Sequence, residues 1–87
     1  MPLIDAIWDL PDDPGGNVQH IAEHGLTPID VEYVLNHPQR RRTSRSSGRP
    51  MVFGLTPSRE YIAVVFEEID DSTVYPITAY LVEEGVP

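Results

Sequence analysis

The stretch YIAVVFEE, Tyr61–Glu68, constrains the fold of this chain more than any other. At the two-residue period of a β-strand, Ile62, Val64 and Phe66 fall on one face and Ala63 and Val65 on the other. A strand that is apolar on both faces needs a neighbour on each side and cover above and below, so it is expected at the centre of a sheet. Its apolar part, Tyr61–Phe66, is also the longest apolar run in the chain. About 18 such residues are needed to cross a bilayer, so no membrane span is expected. The start, MPLIDAIWDL, has no basic segment and carries acids among its apolar residues, so it does not read as a secretory signal. With 87 residues and no cysteine, the chain reads as one small domain over 1–87, without disulfides or a thiol nucleophile, and fits a cytoplasmic protein.

The segments around the central strand follow from punctuation and period. Residues 3–8 alternate as a first strand, broken by the prolines and glycines of LPDDPGG (10–16). A first helix is expected from Asn17 to His24, with Val18, Ile21 and Ala22 as its buried stripe and Gly25 as its stop. A second helix opens with Thr27 as N-cap, Pro28 at the first helical position and Asp30 closing a capping box, with Leu26 stapled onto Val31. Val31, Val34 and Leu35 face the core, and Pro38 ends the helix. Residues 40–46, 51–55, 61–68 and 74–82 read as strands, and Pro76 in the last of them demands an edge position or a bulge. The fold class is therefore α+β: two short helices packed on a twisted antiparallel sheet of about four strands, in the order β-α-α-β-β-β with one further strand at most.

Charge is segregated. All six cationic side chains are arginines between positions 40 and 59, a span without an acid. The remainder carries all fourteen acids, which gives a net charge of −8. Such an acidic total argues against whole-surface binding of nucleic acid or anionic lipid, whereas the basic segment suits a local anion-facing strip or an acidic partner. In a regular strand Arg41, Thr43 and Arg45 share one face and Arg40, Arg42 and Ser44 the other, so the charge divides between faces. Arginines on an edge strand also block edge-to-edge pairing.

Several residues stand in a familiar order: Trp8-Asp9 after the first strand, Asn17 and then His24-Gly25 in an N-x6-HG spacing, the helix TPIDVEYVLNHP (27–38), the pair Gly48-Arg49, and ITAY (77–80) in the last strand. Over roughly residues 4–82 this order resembles the BrnT family of toxins from bacterial type II toxin–antitoxin systems. The resemblance implies a RelE-type fold, RNA cleavage without a metal or other cofactor, and an antitoxin partner. Where the family's last strand carries arginine after Ile-Ser/Thr-Ala, this chain has Tyr80.

Cleavage of RNA by its own 2′-hydroxyl needs a base, an acid and a cation for the phosphoryl oxygens. His24, Glu67, Arg49 and Tyr80 are the candidate catalytic residues, and Arg40, Arg41, Arg42, Arg45, Arg59 and His20 are the candidates for RNA or partner contact. Guanidinium groups hold two phosphate oxygens at once, which suits arginine to the clamp. Asn17, His20 and His24 fall within about 60° of one another on the first helix. Their plainer roles are Asn17 as a cap and His24 as a cation at the helix C-terminus. A His-x3-His pair can ligate zinc, but no third ligand presents itself and no metal is expected. Tyr75 and Tyr80 fall on opposite faces of a regular strand, and share one only if a bulge at Pro76 resets the register.

Three functions follow: a toxin-type ribonuclease, a non-catalytic protein-binding module on the same fold, and a helix-turn-helix DNA binder. The last is disfavoured because the second helix carries Asp30 and Glu32 and no basic residue.

Overall fold

A computed structural model describes residues 3–83. Its elements are β1 (Asp5–Ala6), α1 (Asn17–Ala22), α2 (Pro28–Asn36), β2 (Arg40–Thr43), β3 (Pro50–Leu55), β4 (Tyr61–Glu68) and β5 (Thr73–Leu81). The strands form one sheet in the order β1-β5-β4-β3-β2, with β4 in the middle, where its two apolar faces require it. The architecture is α+β, and two expectations change. The sheet has five strands, and β1 joins it parallel to β5, so the sheet is mixed. The expected first strand over 3–8 shrinks to two residues, because the Pro/Gly run pulls the chain off the sheet after Ile7 bonds to the Val74 carbonyl.

On one face of the sheet lies the main core. Ile21, Leu26, Val31, Val34 and Leu35 pack on Val52, Ile62, Val64, Phe66, Val74 and Ala79. Burying a side chain such as Ile62 or Val64 in full contributes about 1.5–3 kcal/mol. The start of α2 is built as its sequence demands. The Thr27 hydroxyl accepts from the Asp30 N–H, and the Asp30 carboxylate accepts from the Thr27 N–H. Helix α1 is shorter than expected, ending at Ala22 rather than His24. The chain closes over it with Gly25 N–H donating to the Ala22 carbonyl and Leu26 N–H to the Ile21 carbonyl, while Gly25 takes φ +77°. Ala22 is exposed, and the buried positions of α1 are Asn17 and Ile21. Of the expected stripe Ile21 is fully buried, Val18 half-buried and Ala22 exposed, and the polar Asn17 takes the second buried position.

The last strand carries a bulge. Val65 faces Thr78 and Phe66 faces Pro76, so Ile77 is the extra residue. Pro76 lies next to the bulge and just past Thr73 and Val74, the two residues of β5 that β1 covers, so it has β4 on one side and a free strand edge on the other, and both devices accommodate it. Strand β2 is the opposite edge, exposed along its whole length, and is shorter than the expected 40–46 because the chain turns from Ser44 to Arg49. The β3–β4 turn holds Arg59 at φ +72°, a left-handed conformation that costs a side chain other than glycine about 1–2 kcal/mol. Arg59→Gly is accordingly expected to stabilise the protein by about 1 kcal/mol, read as an upward shift in a urea-unfolding midpoint. An unchanged or lower midpoint would show that the turn has no strain to release.

Among the described residues no helix is long and apolar enough to cross a membrane.

Candidate functional site

Both helices occupy one face of the sheet, so the candidate residues are best placed by the opposite, open face. In register, Glu67 on β4 faces Tyr75 on β5. From the β2–β3 turn, Arg49 reaches the same carboxylate, with Nε at 3.2 Å and Nη2 at 3.1 Å from Glu67 Oε1. The result is a row of Arg49, Glu67 and Tyr75 running from the β2–β3 turn across β4 to β5. Tyr80 faces Ala63, four residues from Glu67 on β4. The bulge at Ile77 thus brings Tyr75 and Tyr80 to one face, about 13 Å apart along the strands.

Helix α1 runs beside the free part of the β5 edge. His20 and Tyr75 line one cleft of about 270 Å³ together with Gly16 and Asn17. The His20 and His24 ring centroids are 6.0 Å apart, and His24 lies 6.5 Å from Tyr80. Of the four candidate catalytic residues, the fold joins Arg49 to Glu67 and His24 to Tyr80, as two separate pairs. His20, read from the sequence as a contact residue, stands beside the first pair's row.

The arginines divide as the strand period requires. Arg40 faces Phe53 and Arg42 faces Met51, which puts both on the open face. Arg41 faces Val52 and turns to the helix side, its guanidinium 5.8 Å over the Phe66 ring and 3.4 Å from Glu68. Arg45 is exposed in the β2–β3 turn, off the strand on which it was expected. Arg59 stands at the other end of the sheet, in the β3–β4 turn.

Beneath the row is a clasp that sequence reasoning did not foresee. Asn17 Oδ1 accepts from the Asp9 N–H at 2.9 Å, and Asp9 Oδ2 accepts from the Asn17 N–H at 2.9 Å. Asn17 Nδ2 donates to the carbonyls of Ile7 and Pro76 at 2.9 and 3.0 Å. Asp9 Oδ2 also accepts from the Tyr75 hydroxyl at 2.6 Å. Gly16, which caps α1, has to be small, because a Cβ there would come within 2.7 Å of the Asp9 Cβ. Trp8 is anchored by its indole N–H on Glu32, 2.8 Å away. Asp9 and Asn17 are therefore architectural, holding the segment after β1 to α1 and β5, and Trp8 ties the same segment to α2. The available signal was Asn17 itself, one helical turn before Ile21 on the side that must be buried.

The clasp also settles how Tyr75 behaves. The Tyr75 hydroxyl, and then the Asn17 N–H, hold the Asp9 carboxyl below its ordinary value of 3.8. The bond to Asp9, then burial, then the charges of Asp9, Asp13 and Glu67 push Tyr75 above 10.0. Tyr75 is thus a fixed hydrogen-bond donor and a poor source of protons.

A lowered carboxyl contributes stability that is present above pH 3.8 and lost as pH falls through the folded value. A raised tyrosine contributes stability that is present below pH 10.0 and lost as pH rises through its folded value. Melting midpoints are expected to fall at both ends of the pH scale. Asp9→Asn should shrink both limbs, with part of the acid limb surviving because Asp70 is also held low, chiefly by the Ser72 N–H. Identical pH profiles for the variant and the parent protein would show that the bond carries no linkage.

Among the described residues no group of three or more His, Asp or Glu side chains is arranged to hold a metal ion. Comparisons with family models, curated proteins and solved structures find no match to this chain.

Proposed function

We propose that the open sheet face is the site of a metal-independent ribonuclease of the toxin type, acting in the cytoplasm and held in check by an antitoxin. The observation that carries this reading is the row of Arg49, Glu67 and Tyr75 with His20 at its edge. It gathers a carboxylate, a guanidinium and an imidazole on one accessible surface. Glu67 takes the proton of a 2′-hydroxyl, whose oxygen then attacks the adjacent phosphorus. Arg49 stabilises the charge on the phosphoryl oxygens. His20 protonates the departing 5′-oxygen, leaving a 2′,3′-cyclic phosphate. In this arrangement His24 and Tyr80 lie one subsite away, where their rings can stack on a flanking base. The order of motifs shared with BrnT-type toxins supports the same reading. Purified protein in excess chelator should cut single-stranded RNA to ends bearing cyclic phosphate, and Arg49→Ala should stop it. RNA left intact by the unaltered protein would overturn the proposal.

A second reading, a non-catalytic module that binds an acidic partner, draws on a different observation. The open face carries an apolar strip whose accessible part is the half-buried Phe53, Tyr80 and Val82, packed over the buried Met51, Ala63 and Val65, with Arg40 and Arg42 beside it on β2. Apolar centres with a charged rim characterise protein interfaces. If this reading holds, exchanging Arg40 and Arg42 for glutamate should release a stoichiometric partner. RNA would remain uncut in every variant.

A further inference from the structure

A second cleft lies at the far end of the sheet from Arg49, between α2 and the β3–β4 turn. Its volume is about 260 Å³, near the lower bound for small-molecule sites, and its walls include Tyr33, His37, Gln39, Leu55, Pro57 and Arg59. Tyr33 on α2 and His37, the residue that caps its C-terminus, are stacked with centroids 4.2 Å apart and planes 20° from parallel. The Tyr33 carbonyl accepts a hydrogen bond from His37 Nδ1 at 2.9 Å, which fixes the imidazole in the stack. Both residues are exposed, Tyr33 to 40%.

Arg59 closes the other wall. Its backbone is left-handed at φ +72°, a place where glycine is the unstrained choice. Strained positions of this kind persist where the side chain is needed. Among the described residues Arg59 takes part in neither ion pair, which are Arg41–Glu68 and Arg49–Glu67. The nearest acid in sequence, Glu60, is engaged by the Ser58 hydroxyl at 3.2 Å.

We propose that this cleft binds a nucleotide. The base stacks on the Tyr33–His37 pair, the phosphate is held by the Arg59 guanidinium, and the side-chain amide of Gln39 meets the base edge. A fixed aromatic platform and a planar cation without an ion-pair partner among the described residues match the two halves of such a ligand, a flat ring and a phosphate. The chemistry is shared by a free mononucleotide and by a nucleotide within single-stranded RNA. Occupancy does not depend on cleavage at the open face.

Titrations followed by backbone and side-chain NMR shifts test the proposal, with adenosine 5′-monophosphate, adenosine and a 5′-phosphorylated tetra-adenylate as probes. Saturable shifts are expected at Tyr33, His37 and Arg59 below about 10 mM, the range in which one stacked ring and one ion pair reach saturation. Equal affinity for the monophosphate and the tetranucleotide identifies the free nucleotide as the ligand. Tenfold or tighter binding of the tetranucleotide identifies a strand. Tyr33→Ala should weaken every probe about tenfold or more. Arg59→Gly should weaken the monophosphate about tenfold and leave adenosine unchanged. Neither variant threatens the fold, since alanine suits the exposed helix position and glycine suits the turn. Glu67→Gln should leave all three titrations unaltered, which separates this site from the proposed ribonuclease centre. Absence of saturable shifts, or titrations indifferent to both Tyr33→Ala and Arg59→Gly, would overturn the assignment.

Discussion

Asn17→Ala is expected to be the most destabilising single substitution at a polar position in this protein. The side chain is 3% exposed, and its three hydrogen bonds end on main-chain groups of Ile7, Asp9 and Pro76, in two segments far apart in the chain. Truncation leaves the carbonyls of Ile7 and Pro76 and the N–H of Asp9 without partners. Each unsatisfied buried group costs about 1–3 kcal/mol, and some relief comes from water entering beside Gly16. A net loss of about 3 kcal/mol is expected, which for a domain of this size lowers the melting temperature by roughly 12–24 °C. Asn17→Asp should be no milder, because it removes both donors and sets a second carboxylate against Asp9. Thermal unfolding followed by circular dichroism reads both variants. A loss under about 1 kcal/mol would mean that β1, α1 and β5 are held by their apolar contacts alone.

This clasp also explains where the sequence was legible and where it was not. Helix α2 could be read almost to the residue, because Thr27, Pro28, Asp30 and Pro38 are local signals whose physics acts within one turn. Strand β4 could be placed at the sheet centre, because the same period exposes two apolar faces that only neighbours can cover. Helix α1 was misjudged at Ala22 and His24, because its seating is decided by Asn17, whose partners at Ile7 and Pro76 lie 10 and 59 residues away. No period in the chain announces such a contact. The parallel pairing of β1 was hidden for the same reason, since two residues carry no pattern.

Register was the other blind spot. Proline at position 76 signalled an edge or a bulge, and only the ladder shows that both are present. The bulge governs the site, because the extra residue at Ile77 turns Tyr75 and Tyr80 to the same face. The candidate residues were gathered as a chemical inventory, without regard to place. Their grouping into an Arg49–Glu67 pair and a His24–Tyr80 pair required the fold.

Glu67→Gln provides the sharpest test of what that grouping does. If Glu67 is the general base, its loss should slow RNA cleavage by about 10²–10⁴-fold. The amide still accepts a hydrogen bond from Arg49, so the guanidinium keeps its position while the proton acceptor is gone. Stability should move by less than about 1 kcal/mol, because the pair is 40% and 49% exposed and ion pairs of that kind contribute little. A slow but folded variant therefore reports on chemistry. Arg49→Lys should fall about 10²-fold, since an ammonium group cannot hold two phosphoryl oxygens and the carboxylate together. Should Glu67→Gln cut RNA as fast as the unaltered protein, Arg49 and Glu67 would be a surface ion pair. The open face would then be read through its apolar strip and the arginines of β2.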